Sequence, residues 1–198
     1  MYYNREKGEI VMNNKYVLSR GQNVRYVKEH LDEFIANNMA LSRYEKDDPF
    51  YGKAYDNFVK SFDYILNNQD VENDYHCLLT LHDILMDGLD DGIKSELTSE
   101  QIEELSSMIN QPAKSNMEIA IDVMLYILEK RLFTDGDVRA ALAFANKLMV
   151  DNGCGFITIL PDKKDIFRAK LKDYKETGNT DIKLWIYQYC IKGPKLEY

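Results

Sequence analysis

Cysteine, proline and surplus positive charge are all scarce in this sequence. Three cysteines (Cys77, Cys154 and Cys190) lie far apart, with no C-x-x-C pair. That argues against a disulfide framework or a cysteine zinc site and reads as buried, reduced thiols. No stretch approaches the roughly 20 apolar residues that cross a bilayer. The opening MYYNREKGE lacks the apolar centre of a secretory leader. Lys and Arg total 25 against 33 Asp and Glu, a formal net charge of −8. Phosphate backbones are held by Lys/Arg surfaces, so this balance speaks against a nonspecific nucleic-acid binder. These absences describe a cytoplasmic protein that engages neither membrane nor nucleic acid.

Helical periodicity, by contrast, is abundant. Only four prolines occur, and Pro49, Pro112 and Pro161 fall where that periodicity stops. EIVMNNKYVLS could turn back as a small hairpin at Asn13-Asn14, a pair that tolerates positive φ. Val24, Val27, Leu31, Phe34 and Ile35 then recur at helical spacing, predicting a helix from about Gln22 to Met39. Further helices are predicted over YDNFVKSFDYIL, over YHCLLTLHDILMDG closed by Gly88, and over SEQIEELSSMIN with Ser99 as N-cap. Ser115 and Glu118 match a capping box ahead of a segment apolar on nearly every side, predicting a central helix over 116–130. Its neighbour over 138–152 carries Val138, Ala141, Leu142, Ala145, Leu148 and Met149 on one stripe. FITIL reads as a short extended piece. DKKDIFRAKLKDYKETG and TDIKLWIYQYCIKG supply two last helices, each with a glycine stop. No repeat, low-complexity tract or linker appears. The organisation expected is a tail with a hairpin over 1–21 and one mainly α domain over 22–198, its core at 115–191.

Between the two central helices lies RLFTDGDVRAAL, Arg131 to Leu142. A helix N-terminus presents unpaired N–H groups and a positive dipole end, which attract anions. Gly136 lets the backbone come close to a ligand, and Arg139 sits in the first turn of the second helix. Asp135 and Asp137 could bind a metal on a phosphate or simply cap the helix. The three histidines form no metal pair: His76 and His82 are six apart on one helix, and His30 is on another. Nothing in the sequence places His82 near the loop. The fourteen tyrosines mostly follow helical stripes, which reads as packing, and exposed ones could equally mark a partner surface.

The loop and its context resemble the Fic (filamentation induced by cAMP) family, whose motif H-x-F-x-[DE]-G-N-G-R-x-x-R lies between two core helices. Phe133, Asp135, Gly136 and Arg139 match the motif. The continuation ANKLMVDNGCGFITILPDKKDIFRAKLKDYKETGN looks like the family's helix, short extended run, proline and helix. The resemblance implies a single-domain, Fic-like helical bundle and transfer of AMP from ATP to a protein hydroxyl. It further implies phosphate contacts from Gly136 and Arg139, Mg²⁺ on Asp135, and a protein target. The departures are chemical. Arg131 stands where the family's general-base His belongs, and arginine stays protonated. Losing a positioned base typically costs on the order of 100- to 10,000-fold in rate. Asp137 replaces Asn, Val138 replaces Gly and Leu142 replaces the last Arg.

Two further family features are not found in the sequence. The nearest approach to the inhibitory pattern [ST]-x-x-x-E-[GN] is NMALSR, with Ser42 at the glutamate position. DGLDDGIKSELTSEQ shows no strand pair for the target-clamping flap.

The expectation is therefore a degenerate member, impaired in AMP transfer, that binds a nucleotide or a protein partner. The phosphate would be held by Arg131, Gly136, Asp137 and Arg139, with ATP and Mg²⁺ held weakly. The rival is an active transferase of altered chemistry that moves a phosphate-containing group onto a protein hydroxyl. Self-association is compatible with either. Arg131→His alone is expected not to restore strong AMP transfer, because three cradle substitutions remain. Robust protein labelling by the single variant with radioactive ATP would contradict this.

Overall fold

The computed structural model describes residues 2–4, 9–89 and 96–195. Its centre is a helix pair, α6 (Asn116–Lys130) and α7 (Asp137–Asp151), within a residue of the ends that periodicity and capping predict. Ser115 accepts the Glu118 N–H and caps α6. From Ile119 to Leu128 every residue of α6 is buried, and from Arg139 to Val150 every residue of α7. A helix so uniformly apolar has no face to give to water, which is why this pair takes the middle.

Around it pack α1 (Arg20–Glu29), α2 (Leu31–Met39), α3 (Tyr51–Asn67) and α4 (Tyr75–Met86) on the α7 side. α5 (Ser99–Ile109) lies against α4 and α6, α9 (Asp181–Tyr189) packs on α6, and α8 (Lys164–Thr177) packs on α9. Asp74 caps α4, and Gly88 takes φ 67° just past its end. The fold is mainly α.

Four predicted boundaries move, each for a visible reason. The helix expected over 22–39 is two helices, broken at His30. There the ring Nδ1 lies 2.9 Å from the Tyr26 carbonyl, and the His30 N–H turns to Val27 instead. Thr98, not Ser99, caps α5 in a reciprocal box with Gln101. The hairpin pairs β1 (Tyr2–Asn4) with β2 (Glu9–Val11), one strand earlier than a turn at Asn13-Asn14 requires. Asn14 has another task, since its Oδ1 accepts the Met117 N–H at 3.0 Å in the first turn of α6. Lastly, α9 stops at Tyr189. Ile191–Lys192 (β4) pairs with Phe156–Ile157 (β3), so Gly193 ends a strand and not a helix. The flap prediction, over 87–101, falls in part on 90–95, outside the described residues.

β3 runs through the interior, where its backbone groups must find partners. Three buried asparagines supply many of them. Asn146 accepts from Ile157 N–H at 2.7 Å and donates to its carbonyl at 2.9 Å. Asn38 accepts from Ile159 N–H, and Asn23 donates to the Gly155 carbonyl. Phe156 stacks on Phe34 with ring centroids 4.2 Å apart. The three cysteines are buried free thiols, pushed up to about 11 (Cys77, Cys154) and about 12 (Cys190) by burial.

No helix among the described residues is long and apolar enough to cross a membrane. Asn146→Ala removes two buried bonds, stranding the Ile157 N–H and leaving its carbonyl only the longer bond from Asn38 Nδ2. It should cost about 2–4 kcal/mol in urea unfolding, while the exposed Lys172→Ala should change stability by less than about 0.5 kcal/mol.

Candidate functional site

The loop begins where α6 ends. Arg131 takes the left-handed conformation (φ 50°, ψ 65°) as the C-cap, with its N–H on the Ile127 carbonyl. An L-residue pays roughly 1 kcal/mol for that geometry. Leu132 and Phe133 then turn into the core. Phe133 stacks on His82 of α4, centroids 3.8 Å apart and planes at 14°. His82 Nε2 lies 2.8 Å from the Asp135 carbonyl oxygen. A carbonyl only accepts, so this nitrogen carries the proton and donates. His82 is therefore a support under the loop, and sequence reasoning missed it because α4 lies some fifty residues away.

Gly136 is the N-cap of α7 at φ 82°, and here the need for glycine is steric as well as conformational. A Cβ would lie 2.8 Å from Met86 Sδ and 3.2 Å from His82 Nε2. Ala140 N–H on the Gly136 carbonyl closes the first turn. The N–H groups of Asp137, Val138 and Arg139 consequently have no acceptor within the helix. These three residues border a cavity of about 190 Å³, walled by the loop on one side and by Ser42, Arg43 and Tyr44 on the other.

Among the predicted residues, the acidic pair divides. Asp135 Oδ1 accepts the Gly136 N–H at 2.7 Å. Its Oδ2 lies 2.8 Å from Arg43 Nη2 and accepts the Tyr44 hydroxyl at 3.4 Å. Both oxygens already have partners inside the protein. Asp137 instead points back into the loop, where its Oδ1 accepts the Phe133 N–H at 3.0 Å. Burial pushes its carboxyl up to about 6, against the Phe133 N–H, Lys175 and Arg131, which favour the charged form. No group of three or more His, Cys, Asp or Glu able to hold a metal occurs among the described residues.

The arginines also part company. Arg139 is only 2% exposed. Its Nη1 donates to the Leu85 carbonyl at 2.8 Å and its Nη2 to Met86 Sδ at 3.2 Å, while its guanidinium faces the Tyr44 ring at 5.2 Å. The carbonyl end of α4 is where a helix dipole favours a cation. Arg139 borders the cavity, but these donors tie it to α4. Arg131 is exposed, does not line the cavity, and has Asp137 and Lys175 as charged neighbours. Leu142, at the last arginine's position, is 1% exposed in the core. The cation that does reach the cavity with an exposed head is Arg43, whose side chain is 63% exposed. The sequence singled out its neighbour Ser42 through NMALSR, and that was the signal available.

No family model matches the sequence, and no curated protein matches it. Among solved structures, Fic-1 from C. elegans is similar, with a TM-score of 0.68 at 11% sequence identity. The match covers 89% of this chain and 64% of that one, so the chain spans under two thirds of its neighbour's length. The likeness is one of fold.

Two variants probe the geometry of the loop. Arg139→Ala leaves the Leu85 carbonyl with only the Asn57 amide as side-chain donor, beside a new void, and should lower stability by about 2–4 kcal/mol. Gly136→Ala forces a methyl onto Met86 and His82 at a positive φ and should cost at least about 1–2 kcal/mol. Thermal unfolding reads both; wild-type melting of either variant would mean that the loop does not rest on α4 as described.

Proposed function

We propose that this chain is a Fic-fold protein that binds a phosphate-bearing ligand, such as ATP, at the N-terminus of α7, and that it transfers AMP poorly or not at all. The observation that carries the reading is the cavity itself. It joins the free first-turn N–H groups of α7 to an exposed guanidinium from another part of the chain. Its size suits phosphate groups, so a nucleotide would leave its sugar and base outside. Binding, with a protein partner or target recognising the loaded state, is then the activity.

Impaired transfer follows from the proton. A hydroxyl nucleophile must give one up, and Arg131 cannot accept it. His82 Nε2 is already protonated toward the Asp135 carbonyl. Mg²⁺ beside phosphate usually takes one or two carboxylates. Asp135 is the suited donor, and a cation would have to displace Arg43 from its Oδ2. Gly136, Asp137 and the α7 N–H groups form the anion-facing wall. Arg139 contributes charge from within the core, and Arg131 contributes it across Asp137.

Asp137 makes the binding pH-dependent. Above about 6 its carboxylate opposes an anion; below that value the group is neutral and the opposition goes. Sulfate is the clean probe, since its charge is constant over this range. Calorimetry should find sulfate binding in the millimolar range, tighter at pH 5 than at pH 7.5 and weakened by added salt. Asp137→Asn should bind at pH 7.5 about as wild type does at pH 5. Absence of binding by sulfate, phosphate and ATP at millimolar concentration would overturn the reading. Strong transfer of labelled nucleotide to protein would favour the altered-chemistry transferase instead.

A further inference from the structure

The cavity has a second wall that the motif does not supply. Ser42 and Arg43 belong to the connection between α2 and α3, about ninety residues before the loop, and both line the cavity opposite the start of α7. Ser42 is 7% exposed. Its hydroxyl oxygen accepts the Tyr44 N–H at 3.3 Å, and its own proton has no acceptor among the described residues. A buried hydroxyl with an idle donor at a cavity wall is available to an acceptor in that cavity. Beside it, Arg43 reaches across to Asp135 and also donates to the Tyr44 hydroxyl at 3.0 Å. Its guanidinium lies over the Tyr44 ring at 4.8 Å. Tyr44, 3% exposed, thus anchors a guanidinium whose far side is open to water.

We propose that Ser42 and Arg43 are anion ligands of this site. Ser42 would donate its hydroxyl proton, and Arg43 would give the charge-assisted bonds that Leu142 no longer offers. The inference rests on the phosphate-binding reading above and adds to it which side chains take the ligand. An exposed ion pair such as Arg43–Asp135 contributes little to stability, so the guanidinium exchanges readily between the Asp135 carboxylate and an incoming oxyanion. Asp135 is then a resting partner that competes with the ligand. The ligand class is a tetrahedral oxyanion, free or as part of a phosphate ester.

The test is a double-variant cycle on the full chain, with sulfate, inorganic phosphate and ATP as probes in calorimetry. Arg43→Ala should weaken binding about tenfold or more, and Ser42→Ala about threefold. Asp135→Asn should strengthen it by releasing Arg43. In the Asp135→Asn background Arg43→Ala must still cost about tenfold. If that cost vanishes there, Arg43 only neutralises Asp135 and is no ligand. If wild type binds and the Ser42 and Arg43 variants bind equally well, the inference fails while the anion site stands. If wild type binds none of the probes, the site and its ligands fall together. Circular dichroism of each variant separates lost binding from lost folding, and the exposure of Arg43 predicts that its variant folds.

Discussion

The loop between α6 and α7 is pinned to α4 by contacts that leave it little freedom, and the site depends on that attachment. His82 donates to the Asp135 carbonyl and offers its ring face to Phe133. Gly136 lies so close to Met86 and His82 that no side chain fits there. Arg139 reaches past the loop to the Leu85 carbonyl and the Met86 sulfur at the end of the same helix. Each contact uses a different physical means: a hydrogen bond, ring stacking, steric exclusion of a Cβ, and a buried cation at a helix end. Together they set where α7 begins, and so where its unpaired N–H groups point. A six-residue loop with one aspartate, followed by another at the start of α7, would otherwise have several ways to cap a helix.

Charge in the site runs against charge in the chain. A net −8 repels anions at long range, but screening confines that field to about a Debye length at physiological salt. Within the cavity Asp135 faces Arg43 at 2.8 Å with Arg139 behind Tyr44, and the helix dipole adds to the positive side. Local balance decides what the cavity accepts. Asp137, bonded to Phe133 within the loop, is the main opponent while charged, and burial pushes its carboxyl up to about 6, which weakens that opposition as pH falls.

The positions around the loop where the chain departs from the motif it resembles, and one where it matches, have separate structural fates. Leu142 joins the core, where a charged side chain would have to be paired or neutralised. Arg131 stays in water at the end of α6. Arg139 keeps the matched residue type yet sends these hydrogen bonds inward. Matching a residue to a motif fixes its place on the helix but not the direction of its side chain. The α2–α3 connection fills the gap with Ser42, Arg43 and Tyr44.

By itself the sequence determined what rests on contacts between near neighbours along the chain. Helices α6 and α7 are legible from apolar spacing and from Ser115, because capping and helical periodicity act over four residues. The buried thiols are legible from composition and spacing. Only the tertiary structure decided what depends on distant partners. Asn14 caps α6 across about a hundred residues, so the hairpin turns elsewhere. β3 finds β4 and Asn146 because a buried backbone must be satisfied by whatever packs beside it. His82 and Arg43 reach the loop because α4 and the α2–α3 connection pack there. A side chain's role at a site is set by the groups it meets, and the loop that His82 and Arg43 meet lies far from both in sequence.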